Sequence, residues 1–225
     1  MLHFQKDSTL AGQTETILNA VIAGIDSGRL NPGDVIEETP LMRAHQVSRT
    51  PVREAFIQLE TLGLIRRLPR KGAVLFKPTV QEFLAIQEVH AKLEGQAAGL
   101  AARRFSSEQA GALEAAVRAC ERHAAEKGDR EPDAYYRLNM RFHEVVAVTS
   151  GNPVLVAMIK TNARRLMAYY RARYRYPGSI AQSAAEHRDI AGLITAHQRD
   201  TAEKTMQAHV LFDQVTVMDL LAALG

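Results

Sequence analysis

The sequence predicts a mainly α protein, an N-terminal winged helix-turn-helix followed by an antiparallel all-helical bundle. Three observations carry that expectation. Residues 41–56 hold two helical stretches separated by a turn. Residues 66–76 follow with two short extended runs around a basic tip. Beyond Pro78-Thr79 only helical periodicity remains, with neither a strand pattern nor a repeat of fixed period. A length of 225 residues accommodates two modest domains, expected at 1–78 and 79–225.

Residues 14–27 read as the first helix, because Ile17, Leu18, Val21, Ile22 and Ile25 recur at helical spacing and Gly28 stops the run. Leu30-Asn31-Pro32-Gly33-Asp34 forms a turn into an extended piece at Val35-Ile36. Pro40 suits the first position of helix two, where its missing N–H is no loss. Gln46 falls in the next turn, and Val47 follows as an apolar plug. Ser48 is expected to cap helix three through its hydroxyl, with Pro51 in the first turn and Phe56, Leu59 and Leu62 facing inward. Arg66-Arg67-Leu68 and Ala73-Val74-Leu75-Phe76 form the wing strands, joined by Pro69-Arg70-Lys71-Gly72. Later helices are expected near 80–105, 107–127, 132–149, 152–175, 179–198 and 200–222. Ser106 or Ser107 caps the second of these. Gly128-Asp129, Gly151-Asn152-Pro153 and Pro177-Gly178-Ser179 mark breaks. Phe83, Ile86, Val89 and Leu93 read as a core-facing stripe.

Composition narrows the class. Apolar content of 46% and charged content of 24% suit a globular protein in water. The lone Cys120 excludes a disulfide framework and a cysteine-based zinc knuckle. The opening residues lack the apolar core of a secretion signal, and no apolar run approaches spanning length, so a cytoplasmic location without a membrane partner is expected. Net charge is only +3, yet its distribution is uneven. From Arg43 to Lys77 there are eight basic residues against two acids, which leaves the remainder net acidic.

That basic segment has the layout of a reader of duplex DNA. A recognition helix presents its first turns to the major groove. Arg49 and Arg53 share a face there, with Thr50 beside them. Either guanidinium matches the two acceptors of a guanine edge, and Arg53 has bracing the fold or gripping phosphate as alternatives. Ser48, Thr50 and the helix amino end suit phosphates, as do Arg70 and Lys71 beside Gly72 at the wing tip, which also suit the minor groove, and Arg43 is a further DNA-binding candidate.

These residues are similar to the GntR family of bacterial transcription regulators. The resemblance runs through Gly28-Arg29-Leu30-x-Pro32-Gly33, Leu41, Val47-Ser48-Arg49-Thr50-Pro51-Val52-Arg53-Glu54-Ala55, Leu59-Glu60, Gly63-Leu64-Ile65 and Gly72. It implies binding of a palindromic double-stranded DNA operator by a homodimer. The family usually has glycine where this chain has Gln46. Helix two also varies near Thr39 and Arg43, so the operator sequence does not carry over from relatives.

In the helical part, Asn139 and His143 lie four apart on one helix face, while His187 and His209 fall on later helices. Scattered histidines are more often packing or surface residues, although three imidazoles suit zinc, nickel or a similar ion. Residues 80–222 resemble the FCD ligand-binding domain of the FadR-type branch. The likeness rests on Leu93-Glu94, Ala97, Ala101-Ala102, Phe142-His143, Ser150-Gly151-Asn152-Pro153, Glu186-His187 and His209. It implies a divalent transition metal, zinc or nickel, held by His143, His187 and His209, with Asn139 replacing the family's aspartate. It also implies a small carboxylate effector. His90 stands where many relatives carry the arginine that meets it. Arg164 and Arg165 are alternative anion binders, or else part of a solvated face that continues into Arg171, Arg173 and Arg175. Tyr135, Tyr136, Tyr169 and Tyr170 line the cavity or simply pack. The expectation is a repressor released by a small organic acid and not an enzyme. The alternatives are a metal-dependent hydrolase with Glu144 or Glu186 as base, for which no His-Glu-x-x-His element exists, and a DNA-binding dimer with no effector.

Overall fold

The computed structural model describes residues 9–69 and 71–211 and divides into two compact units, Met1–Lys77 and Pro78–Gly225. In the first unit, α1 (Leu10–Asp26) begins four residues before the expected start, because Thr9 Oγ1 caps it by accepting from the Gly12 N–H at 3.2 Å. Then come β1 (Val35–Ile36), α2 (Glu38–His45), α3 (Arg49–Thr61), β2 (Ile65–Leu68) and β3 (Gly72–Leu75). Ile17, Val21 and Ile25 of α1 meet Val52, Phe56 and Leu59 of α3 in a core that excludes water. The sheet is antiparallel in the order β1-β3-β2, with Ala73 paired to Ile36 on one side and Arg67 on the other.

Local details correct several expectations. Pro40 is the third residue of α2 rather than the first, still within the turn whose N–H groups have no helical partner. Ser48 occupies the N-cap of α3 in extended conformation but makes no side-chain cap bond. Leu62 is 39% exposed, since the helix ends there and the chain turns through Gly63 at φ 68°. Gln46 adopts the left-handed conformation, φ 53° and ψ 43°, that glycine usually supplies at a helix end, and Val47 N–H closes the turn onto Met42 O at 3.1 Å. A side chain in that conformation costs about 1–2 kcal/mol. Gly72 has no such latitude. Its φ is +90°, and a Cβ there would lie 2.2 Å from Ile36 O. Glu60 fastens β2 to α3, accepting Arg67 N–H at 2.9 Å and Arg67 Nε at 2.6 Å, which holds its carboxyl below the usual range.

The second unit is helical throughout its described part: α4 (Val80–Arg104), α5 (Ser107–Glu126), a 3-10 turn at Gly128–Arg130, α6 (Pro132–Thr149), α7 (Pro153–Arg173), α8 (Ser179–Thr195) and α9 (Arg199–Val210). Thr79 and Glu82 form a reciprocal capping box on α4, Ser106 is the N-cap of α5, and Asn152 Oδ1 caps α7 through Val154 and Leu155 N–H at 3.2 Å. The expected last helix, 200–222, is seen to Val210, and its remainder lies outside the described residues. Among the described residues no helix is long and apolar enough to cross a membrane.

The central helix is α4, against which α6, α7, α8 and α9 all pack. Gly95 and Gly99 let α9 come close: a Cβ at Gly95 would fall 2.9 Å from Glu203 O and 2.3 Å from Gln207 Cγ. Val89, expected inward, is 53% exposed. The buried face of α4 runs instead through Phe83, Ile86, Gln87, His90, Ala91 and Glu94. Two titratable side chains on an interior face are the first structural sign of a site.

Candidate functional site

Arg49 and Arg53 project from the first turns of α3 with side chains 58% and 61% exposed. Glu38, at the start of α2, receives both, with Oε2 3.1 Å from Arg49 Nε and Oε1 3.1 Å from Arg53 Nε. Pairing through Nε leaves the terminal nitrogens of each guanidinium for the acceptors of a base edge. Glu38, Arg49, Arg53, Lys71 and Gly72 line one depression, so the recognition helix and the wing tip share a face. Ser48, Thr50 and Arg43 are exposed nearby in the chain, with Arg43 in the last turn of α2 and off that lining. Arg70 lies outside the described residues. Sequence reasoning missed Glu38. Its signal was an acid opening the first helix of a predominantly basic helix-turn-helix.

In the second unit the bundle brings together three histidines from three helices. His143 of α6, His187 of α8 and His209 of α9 are buried, each offering a ring nitrogen within 4.8 Å of the others'. His187 Nε2 stands 3.1 Å from His209 Nε2, and Phe142 stacks on His187 with ring centroids 3.9 Å apart. Two carboxylates sit behind the imidazoles. Glu186 Oε2 meets His209 Nδ1 at 2.6 Å, which keeps Nδ1–H and leaves Nε2 with its lone pair. Glu94 Oε2 lies 3.3 Å from His143 Nδ1, and its Oε1 lies 3.5 Å from His90 Nε2. Asn139, one turn before His143, accepts from the Tyr174 hydroxyl at 2.8 Å, and that hydroxyl also lies 3.3 Å from Ser183 Oγ.

Beside the histidines is a cavity of about 20 Å³, room for one water. Its wall includes His90, Glu94, Asn139, His143, Tyr170, Arg173, Tyr174 and His209. His90 is therefore on the wall, whereas Arg164 and Arg165 are not among the lining residues. Arg173, read from sequence as part of a solvated face, is part-buried, its side chain 12% exposed, and donates Nη1 to His209 O at 3.1 Å. Of the expected tyrosines, Tyr170 reaches the wall, Tyr169 stacks on Phe83 and Tyr135 packs edge-on against Tyr174.

Comparison with known proteins fits both halves. Residues 13–75 match the gntR family of bacterial regulatory proteins, and residues 85–212 match the FCD domain. The chain belongs to the GntR family and carries an FCD domain. It is thus a GntR-type DNA-binding transcriptional regulator. An HTH-type transcriptional regulator of Bacillus subtilis, YdhC, is 28% identical over 191 residues, 84% of each chain. The HTH-type transcriptional repressor RspR of Escherichia coli is 24% identical over 179 residues, 80% of this chain and 77% of that one. The solved structure of E. coli McbR/YncC superposes with a TM-score of 0.76, covering 95% of this chain and 99% of the other, and at 20% identity this likeness speaks to fold alone.

The FCD cavity has its own electrostatics. Burial pushes the His90 and His209 imidazoles down to about 4, against the opposing pull of Glu94 on the first and Glu186 on the second. Burial also takes His187 well below its ordinary value. Neutral imidazoles are the form that binds metal. Between about 4 and the ordinary 6.5 the unfolded chain takes up protons that the folded domain excludes, so stability falls as pH drops through that window and levels off above it. Thermal unfolding of metal-free protein is expected to show a lower Tm at pH 5 than at pH 6, with little change from pH 7 to 8. A Tm independent of pH from 5 to 7 would contradict the buried neutral histidines.

Glu144 serves neither cavity nor histidines. It is held by Lys160 at 2.6 Å and Arg141 at 2.8 Å, while Glu186 is occupied by His209. The groups that sequence reasoning missed here are Glu94, Arg173, Tyr174 and Ser183. Only the Leu93-Glu94 pair carried a signal, as part of the family pattern.

Proposed function

We propose that this regulator is a homodimeric, cytoplasmic repressor that grips a palindromic operator and releases it when a small carboxylic acid enters the FCD domain. The observation that carries the sensing half is the convergence of His143, His187 and His209, buried and beside a cavity. The donor set fits a divalent transition ion, zinc or nickel. Three ring nitrogens converge, two of them facing each other at 3.1 Å, and buried His187 Nδ1 has no hydrogen-bond partner among the described residues. His143, His187 and His209 would hold the ion, and Asn139 stands where a fourth, neutral donor would come from. When bound, the ion supplies a Lewis-acidic position for a carboxylate oxygen.

This chain's own residues do the rest. Glu186 orients His209 through its hydrogen bond to Nδ1, and Glu94 Oε2 stands 3.3 Å from His143 Nδ1 as a close charge neighbour without hydrogen-bond geometry. Tyr174 holds the Asn139 carboxamide. On the DNA side Glu38 sets the two arginines for the major groove, and Lys71 reaches a phosphate. An acid alters operator affinity only by as much as it favours one dimer arrangement over the other.

The test titrates metal-loaded protein, at fixed moderate salt, against duplex from its own promoter region and against scrambled duplex. Native mass spectrometry runs in parallel. A dimer with one ion per chain that prefers the promoter duplex, and loses the preference when small acids are added, is the expected result. Equal binding to scrambled DNA defeats the regulator reading, and a preference that no acid changes defeats the effector reading.

A further inference from the structure

Within the acid-sensing reading just given, the structure assigns the effector's carboxylate to Arg173, and we propose that the acid takes this guanidinium in exchange for its hold on the end of α9. The cavity wall holds His90, His143 and His209, imidazoles rather than permanent cations, and two of them face Glu94. Among the described wall residues Arg173 is the one permanent cation, and it adds to the charge of the ion in offsetting Glu94 on the same wall, so that one carboxylate can meet both. A guanidinium presents parallel N–H donors that match both carboxylate oxygens, which an ammonium or imidazole does not.

Arg173 has a present occupation. Nη1 donates to His209 O at 3.1 Å, and Nη2 lies 4.0 Å from Glu186 Oε2, the oxygen that also meets His209 Nδ1. The same helix end is held at Val210 O by Gln87 Nε2 and by the Tyr170 hydroxyl, each at 3.3 Å. Side chains of α4 and α7 therefore satisfy the last carbonyls of α9, groups with no partner inside their own helix. A cavity of about 20 Å³ admits an acid only after a wall side chain moves, and Arg173 is a long one at its edge. Turning toward a bound carboxylate exchanges one anionic or carbonyl partner for another and loosens the cap on α9. Ligand occupancy is thereby linked to the order of the α9 end and to the setting of His209.

The experiment uses full-length, metal-loaded protein with lactate and succinate as probes and lactamide as the uncharged control. Calorimetric affinity is measured for the wild type and for Arg173→Met, Arg173→Lys and Arg164→Met, with metal content determined on each sample. The expected pattern is a loss of at least 30-fold for Arg173→Met, about tenfold for Arg173→Lys, and less than threefold for Arg164→Met, with lactamide silent throughout. Hydrogen exchange across residues 205–211 is expected to speed up when acid binds the wild type. Arg173→Met binding acid as tightly as the wild type, at equal metal content, overturns the assignment. Should that variant not fold, unchanged affinity in Arg173→Lys overturns it equally. Acid binding that leaves exchange at residues 205–211 unaltered overturns the exchange with α9. A loaded wild type that binds neither acid overturns the sensor reading itself, a result distinct from the other three.

Discussion

Replacing Arg49 with alanine is expected to weaken binding to the promoter duplex by roughly 1–3 kcal/mol, about 10- to 100-fold, and to do so unevenly across sequences. The unevenness is the informative part. Arg49 stands on the first turn of α3, exposed, with its Nε tied to Glu38 and its terminal nitrogens directed by that tie. A base-reading group contributes most on the correct base, so its loss lowers affinity for the promoter duplex far more than for scrambled DNA. Lys71→Ala gives the contrasting case. Removing a phosphate-binding charge from the wing weakens every duplex alike and lowers the salt slope by about one. Titrations of both variants at two salt concentrations separate the two behaviours. Equal fractional loss on all duplexes for Arg49→Ala would move Arg49 from bases to phosphates.

Replacing His187 with alanine is expected to empty the metal site and to abolish the response to acids. Mutation of a group behind a metal ligand commonly costs about 10- to 100-fold in affinity, and loss of a ligand itself costs more. His187 is fully buried, stacked on Phe142 and facing His209, so no other described side chain of the cluster can take its place. Metal per chain after dialysis is the direct readout, and the acid-induced rise in Tm is the second. Full metal occupancy in His187→Ala shows that the proposed ligand set is wrong.

The DNA-reading unit was largely legible because its signals are local. Turn, helix and hairpin follow one another within a few dozen residues, and Gly72 is required where β3 passes Ile36 O. Even there, Glu38 stayed hidden, since pairing across two helices is a tertiary fact. The cavity was harder. His143, His187 and His209 were nameable only through family resemblance, because helices far apart in the chain converge to unite them. Periodicity misassigned Val89, since it counts apolar positions, whereas the interior face of α4 carries His90 and Glu94. Arg173 was missed for a similar reason. In a run of arginines nothing local distinguishes the one whose partners are a helix-end carbonyl and a half-buried carboxylate.

The seam at Gly95 and Gly99 bears on how sensors of this build diversify. With Glu203 and Gln207 lying against those two bare positions, α4 and α9 have no slack between them. New ligand preferences can accumulate through replacements on the α6 and α7 walls. A single methyl group at Gly95, invisible to a motif search, would drive the backbone of α9 away from α4 at Glu203, about two turns before His209.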